Sequence, residues 1–207
     1  AVASDAFDAE LTIKGGALTT DKVTTTIAGV DNKVAAMTGV ETLVINSTDN
    51  DLAAKADLTN VTGLVTVDAK FTTNTNDDQI SIAGIAAGTK IKTTSTATGD
   101  NLVLALTDAT GTSDSITLEV TATTVDNDVL NIDAAGIETL AITNKDATTL
   151  DLAGLTATGT GTSSVTIAGA GASILNGINA TTDSIDATTS TGALTLAAAQ
   201  RTGDAKT

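Results

Sequence analysis

The stretch GVETLVINSTD at residues 39–49 returns as GIETLAITNKD at residues 136–146, so that Gly, Glu, Thr, Leu, Ile and Asp recur at a constant offset of 97. Glu occurs only four times in the chain, yet Glu41 and Glu138 take the same place in the two copies. The coincidence marks an internal repeat. Within each copy the parity of an extended chain puts Leu43 and Ile45, or Leu140 and Ile142, on one face. Val, Ile, Leu and Thr dominate, as expected of strands on a pleated surface. Each copy leads into a further series punctuated by Leu and Gly, LTNVTGLVTVD at 58–68 and LDLAGL at 150–155. The two copies read as successive coils of a stacked parallel β-structure, in which each strand covers the edge of its neighbour.

Working outward, similar runs bounded by Gly, Asn, Asp and Ser read as strands over residues 23–30, 41–47, 63–68, 79–84, 101–107, 115–122, 129–133, 137–144, 149–154, 165–169 and 192–198. From 132 onward the strand centres keep a beat of about ten residues, which fits a sandwich or a solenoid. The repeat decides for the solenoid. Helical periodicity is confined to DLAAKAD at 51–57 and the Ala-rich 197–200, both too short to stand as helices. Over 98–125 the texture changes. GDNLVLALT and DSITLEVT alternate strictly, which predicts one wet face and an antiparallel β-hairpin inserted into or flanking the solenoid. The expected class is therefore all-β: a parallel β-solenoid in one continuous domain, with segments at 1–97 and 126–207 around a hairpin at 98–125.

Composition removes most chemistries. The 207 residues include no Cys, Pro, His, Trp or Tyr, so a serine or cysteine triad, a tetrahedral zinc site, a thiolate and a disulfide are all out of reach. Glycoside hydrolysis by paired carboxylates would lack its aromatic platforms, with two Phe in the chain. No Walker or dinucleotide fingerprint occurs. Enzymatic activity is not expected. Ten basic residues against 25 acidic ones give a formal charge of −15, which repels nucleic acid and anionic membrane. No apolar run is long enough for a membrane-spanning helix.

Of the 25 acids, 21 are Asp, a bias toward turns and short oxygen ligands. Three acid-rich clusters offer calcium chemistry: Asp49 and Asp51 in NSTDND, Asp77 and Asp78 in NTNDD, and Asp126, Asp128 and Asp133 in DNDVLNID. None completes an EF-hand or a calcium nonapeptide; the alternative for each is a solvated turn. Glu41 and Glu138 share the parity of the inward Leu and Ile. A carboxylate there needs backbone donors at a corner of the coil, or a cation.

At GVETLVI and GIETLAI, at DNLVLAL (100–106) and at IDATTSTGALT (185–195), the chain resembles the surface-layer (S-layer) proteins of Gram-negative bacteria, specifically the large, acidic, cysteine-poor kind that leaves by type I secretion. The resemblance implies a β-solenoid related to calcium-binding repeat toxins, located on the extracellular cell surface and assembling with copies of itself into a two-dimensional lattice with the help of calcium. It implies contact with outer-membrane lipopolysaccharide through regions outside this chain, and no catalytic residue. The family's nonapeptides, anchoring region and secretion signal are not recognisable, which predicts a middle portion of a longer protein. An adhesin or passenger-type extracellular rod that presents a binding region is the alternative.

Overall fold

The computed structural model describes residues 11–27, 34–48, 53–72, 78–95, 99–122, 129–145, 148–151, 163–176 and 182–196. The described residues form eighteen strands and no helix. One sheet has eight strands in the stacking order β2 (Lys22–Ile27), β4 (Thr42–Ser47), β7 (Thr66–Phe71), β9 (Lys90–Ser95), β11 (Ser115–Ala122), β13 (Thr139–Asn144), β15 (Ser163–Gly169) and β17 (Thr182–Ser190). A seven-stranded sheet stacks β5 (Ala53–Asp57), β8 (Gln79–Ile85), β10 (Asn101–Leu106), β12 (Val129–Asp133), β14 (Thr148–Asp151), β16 (Ser173–Asn176) and β18 (Leu194–Leu196). A short third sheet of β1 (Thr12–Lys14), β3 (Ala36–Thr38) and β6 (Val61–Thr62) closes the first part of the stack. From β8 onward the chain alternates between the two large sheets, each return adding a strand in register. The molecule is an all-β, parallel β-solenoid.

The physical logic of the wall is a repeated rung. Leu43 is level with Val67, which is level with Ile91, then Leu118, then Ile142 and then Ile167. All six are 0–1% exposed. The opposite wall supplies Ala54, Ile80, Leu102 and Ile132 at one level and Ala56, Ile82 and Leu104 at another. Each Leu, Ile or Val so buried contributes roughly 1.5–3 kcal/mol of transfer free energy. Stacking also satisfies the backbone, because every interior strand is paired on both edges. The largest buried side chains, Phe71 and Met37, belong to the part of the stack where the chain visits all three sheets.

Three sequence expectations change. The hairpin at 98–125 does not exist as such: β10 pairs in parallel with β8 and β12, while β11 pairs in parallel with β9 and β13 in the other sheet. Strict alternation correctly reports one inward and one outward face. A solenoid wall has that same asymmetry with parallel strands, so alternation does not distinguish the two. The two copies of the GxETLxI motif are not successive coils. They occupy β4 and β13, four strands apart, so an offset of 97 is four coils of about 24 residues, as in the 24-residue step from Thr42 to Thr66 to Lys90. Finally, the strand β5 occupies Ala53–Asp57, where a helical pattern is weakly suggested; pairing with β8 overrides the local preference. Strand β9 is absent from the sequence reading, its IKTTS being short and bracketed by Lys. The Ala-rich 197–200 lies outside the described residues.

The register holds a further detail. The sequence repeat aligns Leu43 with Leu140, but the ladder puts Leu43 level with Ile142. The second copy has slipped by two residues. An even slip leaves the inward face unchanged, whereas an odd one would turn every apolar residue outward.

Candidate functional site

The repeated motif builds the corner that precedes the eight-stranded sheet. Gly39 and Gly136 turn the chain with φ of 65° and 78°, values that favour Gly over any residue with a Cβ. The Glu two residues later reaches back across the stack. Glu41 Oε2 accepts the Asp21 amide at 2.8 Å, and Glu138 Oε2 accepts the Asp114 amide at 2.9 Å. The return bonds run the other way: the Asp21 carbonyl accepts from the amides of Glu41 and Thr42, and the Asp114 carbonyl from those of Glu138 and Thr139. Each Glu therefore ties its own coil to the preceding one through both side chain and backbone. Glu138 is 1% exposed and Glu41 is half-buried. Of the two roles open to these carboxylates from sequence, corner acceptor of backbone amides is the one the hydrogen bonds support.

A second carboxylate, Glu119, organises the outward face of the eight-stranded sheet. It stands level with Lys92, which is level with Asp68 on the next strand. Its carboxylate oxygens lie 2.6 Å from Lys90 Nζ, 2.9 Å from Lys145 Nζ and 3.6 Å from Lys92 Nζ, so one acid on β11 gathers three cations from β9 and the end of β13. Lys70 lies 3.4 Å from Asp68. The hydrogen bonds from Lys90 and then Lys145 hold the Glu119 carboxyl down to about 2, against a small opposing effect of burial. The sign follows directly. A glutamate in the unfolded chain titrates near ~4.3, so the lowered folded value adds stability above that pH and forfeits it as pH falls from about 4.5 toward about 2. Urea midpoints measured across this window should drop less steeply for Glu119→Gln than for the unaltered chain. Parallel curves would show that the three lysines add nothing to folding.

The remaining Asp residues divide between turns and buried corners. Asp57, Asp108 and Asp186 each accept the amide of a Thr two residues on, at 3.0, 3.0 and 2.9 Å. The hydroxyls of Thr59 and Thr110 add a second bond at 2.8 and 2.6 Å. These are Asp-x-Thr turn caps. The bonds from Thr110 and Thr188 draw the carboxyls of Asp108 and Asp186 below the ordinary aspartate value.

Asp78 and Asp100 differ. Each immediately precedes a strand of the seven-stranded sheet, at 1% and 0% exposure, and the Asn101 amide donates to the Asp78 carbonyl at 2.7 Å. With Gln79 level with Asn101, the two carboxylates stack on adjacent coils at the inward parity of Ile80 and Leu102.

Of the seven residues the sequence singles out for calcium, Asp78 therefore sits buried at a corner. Asp133 is half-buried at the end of β12, level with Val103 and two strands away from β8. The structure does not bring these two together. Asp49, Asp51, Asp77, Asp126 and Asp128 lie outside the described residues. Among the described residues, no three carboxylates converge as a group that could hold a metal. The sequence reading missed Asp100 and the Lys90–Glu119–Lys145 cluster. The available signal was the rarity of Glu: each of the three described glutamates, Glu41, Glu119 and Glu138, makes a cross-coil contact that needs its longer arm.

No protein-family model matches the chain, and comparison with curated proteins and with solved structures finds no match.

Proposed function

We propose that the chain is a non-catalytic structural module of a bacterial surface layer, a stiff β-solenoid that associates side by side with copies of itself into a two-dimensional lattice on the extracellular face of the cell. The observation that supports this reading is the construction of the two large walls. Eight and seven parallel strands stack without a reversal, giving broad, regular outward faces suited to repeated lateral contact. Solvation of such faces by Thr, Lys, Asn and Asp keeps single rods from collapsing onto one another through apolar surface.

The formal charge of −15 opposes close packing of identical copies. In this reading calcium removes that opposition by bridging acid-rich loops of adjacent rods, and assembly follows secretion into a medium that contains it. Attachment to lipopolysaccharide is left to segments beyond this chain. The test is sedimentation with negative-stain microscopy of protein stripped by chelator and titrated with calcium, with magnesium as control. Ordered sheets that appear with calcium and dissolve with chelator are expected. A monomer unchanged by calcium, with no heat of binding, would remove the cation bridge and shift weight to an adhesive rod.

A further inference from the structure

The charges of this chain are not spread evenly over its two walls. Among the described residues of β7 to β13, the outward face of the eight-stranded sheet carries Lys70, Lys90, Lys92 and Lys145 against Asp68 and Glu119, an excess of two positive charges. Four of the ten basic residues of a strongly acidic chain thus lie together on one surface. Their side chains remain 38–53% exposed even while paired, so they can meet a further partner.

The opposite wall is different. On β5, β8, β10 and β12, with Ala54, Ala56, Ile80, Ile132 and Leu102 turned inward, the outward parity takes Lys55, Asp57, Asp133 and polar residues such as Gln79 and Asn101, an excess of one negative charge. Strands about 4.8 Å apart and about 3.3 Å per residue make the eight-stranded face about 35 Å by about 20 Å, and the seven-stranded face, whose strands run from seven residues at β8 down to three at β18, is the smaller and limits the contact to about 500 Å². That is below the ~800 Å² per partner of a standard interface and fits a weak contact reinforced by repetition along a row.

From this asymmetry we infer that the basic outward face of the eight-stranded sheet docks the acidic outward face of the seven-stranded sheet of a second copy. The inference rests on the lattice reading above and specifies which surfaces meet. Contact between two unlike faces is heterologous: every docked copy leaves one face of each kind open, so the association propagates in a row instead of stopping at a dimer. The Asp68–Lys92–Glu119 rung sets the pattern of charge that the partner must complement, and like-charged faces repel, which orders the rods with one polarity across the row. Because the attraction acts between exposed charges, it weakens as added salt shortens the screening length.

The experiment uses two charge-reversed chains, one with Lys70→Glu and Lys145→Glu, the other with Asn101→Lys and Asp133→Lys, with retained β-type far-ultraviolet dichroism and a cooperative melt as the check on folding; the melting point of the first falls, because Lys145 and Lys70 pair with Glu119 and Asp68. The neutral pair Lys70→Gln and Lys145→Gln serves as a second, milder variant. Sedimentation in the presence of calcium, at otherwise low ionic strength, should show the unaltered chain in extended rows and each reversed chain shifted at least tenfold toward monomer. Mixing the two reversed chains should restore rows in which the two variants alternate, since the unaltered acidic face of the first meets the unaltered basic face of the second and the two reversed faces are again opposite in sign. Rows of undiminished length from both reversed chains would overturn this docking mode while leaving the lattice reading intact. Failure of the unaltered chain to associate at any ionic strength, with or without calcium, would overturn both.

Discussion

Leu118→Ala is expected to lower the unfolding free energy of the solenoid by about 2–5 kcal/mol, the largest loss from any single truncation of the central rung. Leu118 is 0% exposed at the middle of the row that runs from Leu43 to Ile167, with Ile91 and Ile142 at its own level on the adjacent strands. A coil cannot shrink to fill the space, because its diameter is set by the coils above and below. The cavity term should therefore stay near the upper end of the range. The outward neighbour Thr117 is the control, since Thr117→Ala removes an exposed side chain and should change stability by less than about 0.5 kcal/mol. Equal urea midpoints for the two variants would contradict the inward assignment of Leu118.

Glu138→Ala should cost about 1.5–3 kcal/mol, the range for a hydrogen bond made by a charged group. It removes the acceptor of the Asp114 amide at a position that is 1% exposed, where water cannot replace it freely. Glu41→Ala deletes the equivalent bond to the Asp21 amide, but at a half-buried corner that solvent can reach, and should cost less. Paired denaturation curves test the ordering. If Glu41→Ala proves the more damaging, burial is not what gives the clip its weight.

The two copies of the motif were enough to reveal a coiled parallel stack because they carry both requirements of a coil. Gly39 and Gly136 make the turn, and the alternating Leu and Ile mark the inward face. Glu41 and Glu138 were legible as corner carboxylates for the same reason, their parity placing them inward next to backbone amides. What sequence could not supply is neighbour identity. Strands β10 and β11 follow one another in the chain and look like a hairpin, yet their partners are twenty or more residues away in both directions. Alternation reports which side chains face inward and nothing about the direction of the next strand.

The Lys90–Glu119–Lys145 cluster was hidden on the same principle. Its members are 29 and 26 residues apart, and only the stacking step makes them adjacent. Asp100 was hidden by resemblance to the many turn aspartates, from which burial alone separates it.

The ladder direction has a mechanical consequence. Strands lie across the long axis, so the hydrogen bonds between coils point along it. Tension applied across the molecule is carried by covalent backbone, and the wall is stiff in that direction. Tension along the axis instead opens one rung at a time, each freeing about 24 residues, which extend to about 80 Å where the folded coil occupied about 4.8 Å. Under load the same molecule is thus an unyielding strut in one direction and a sacrificial spring in the other.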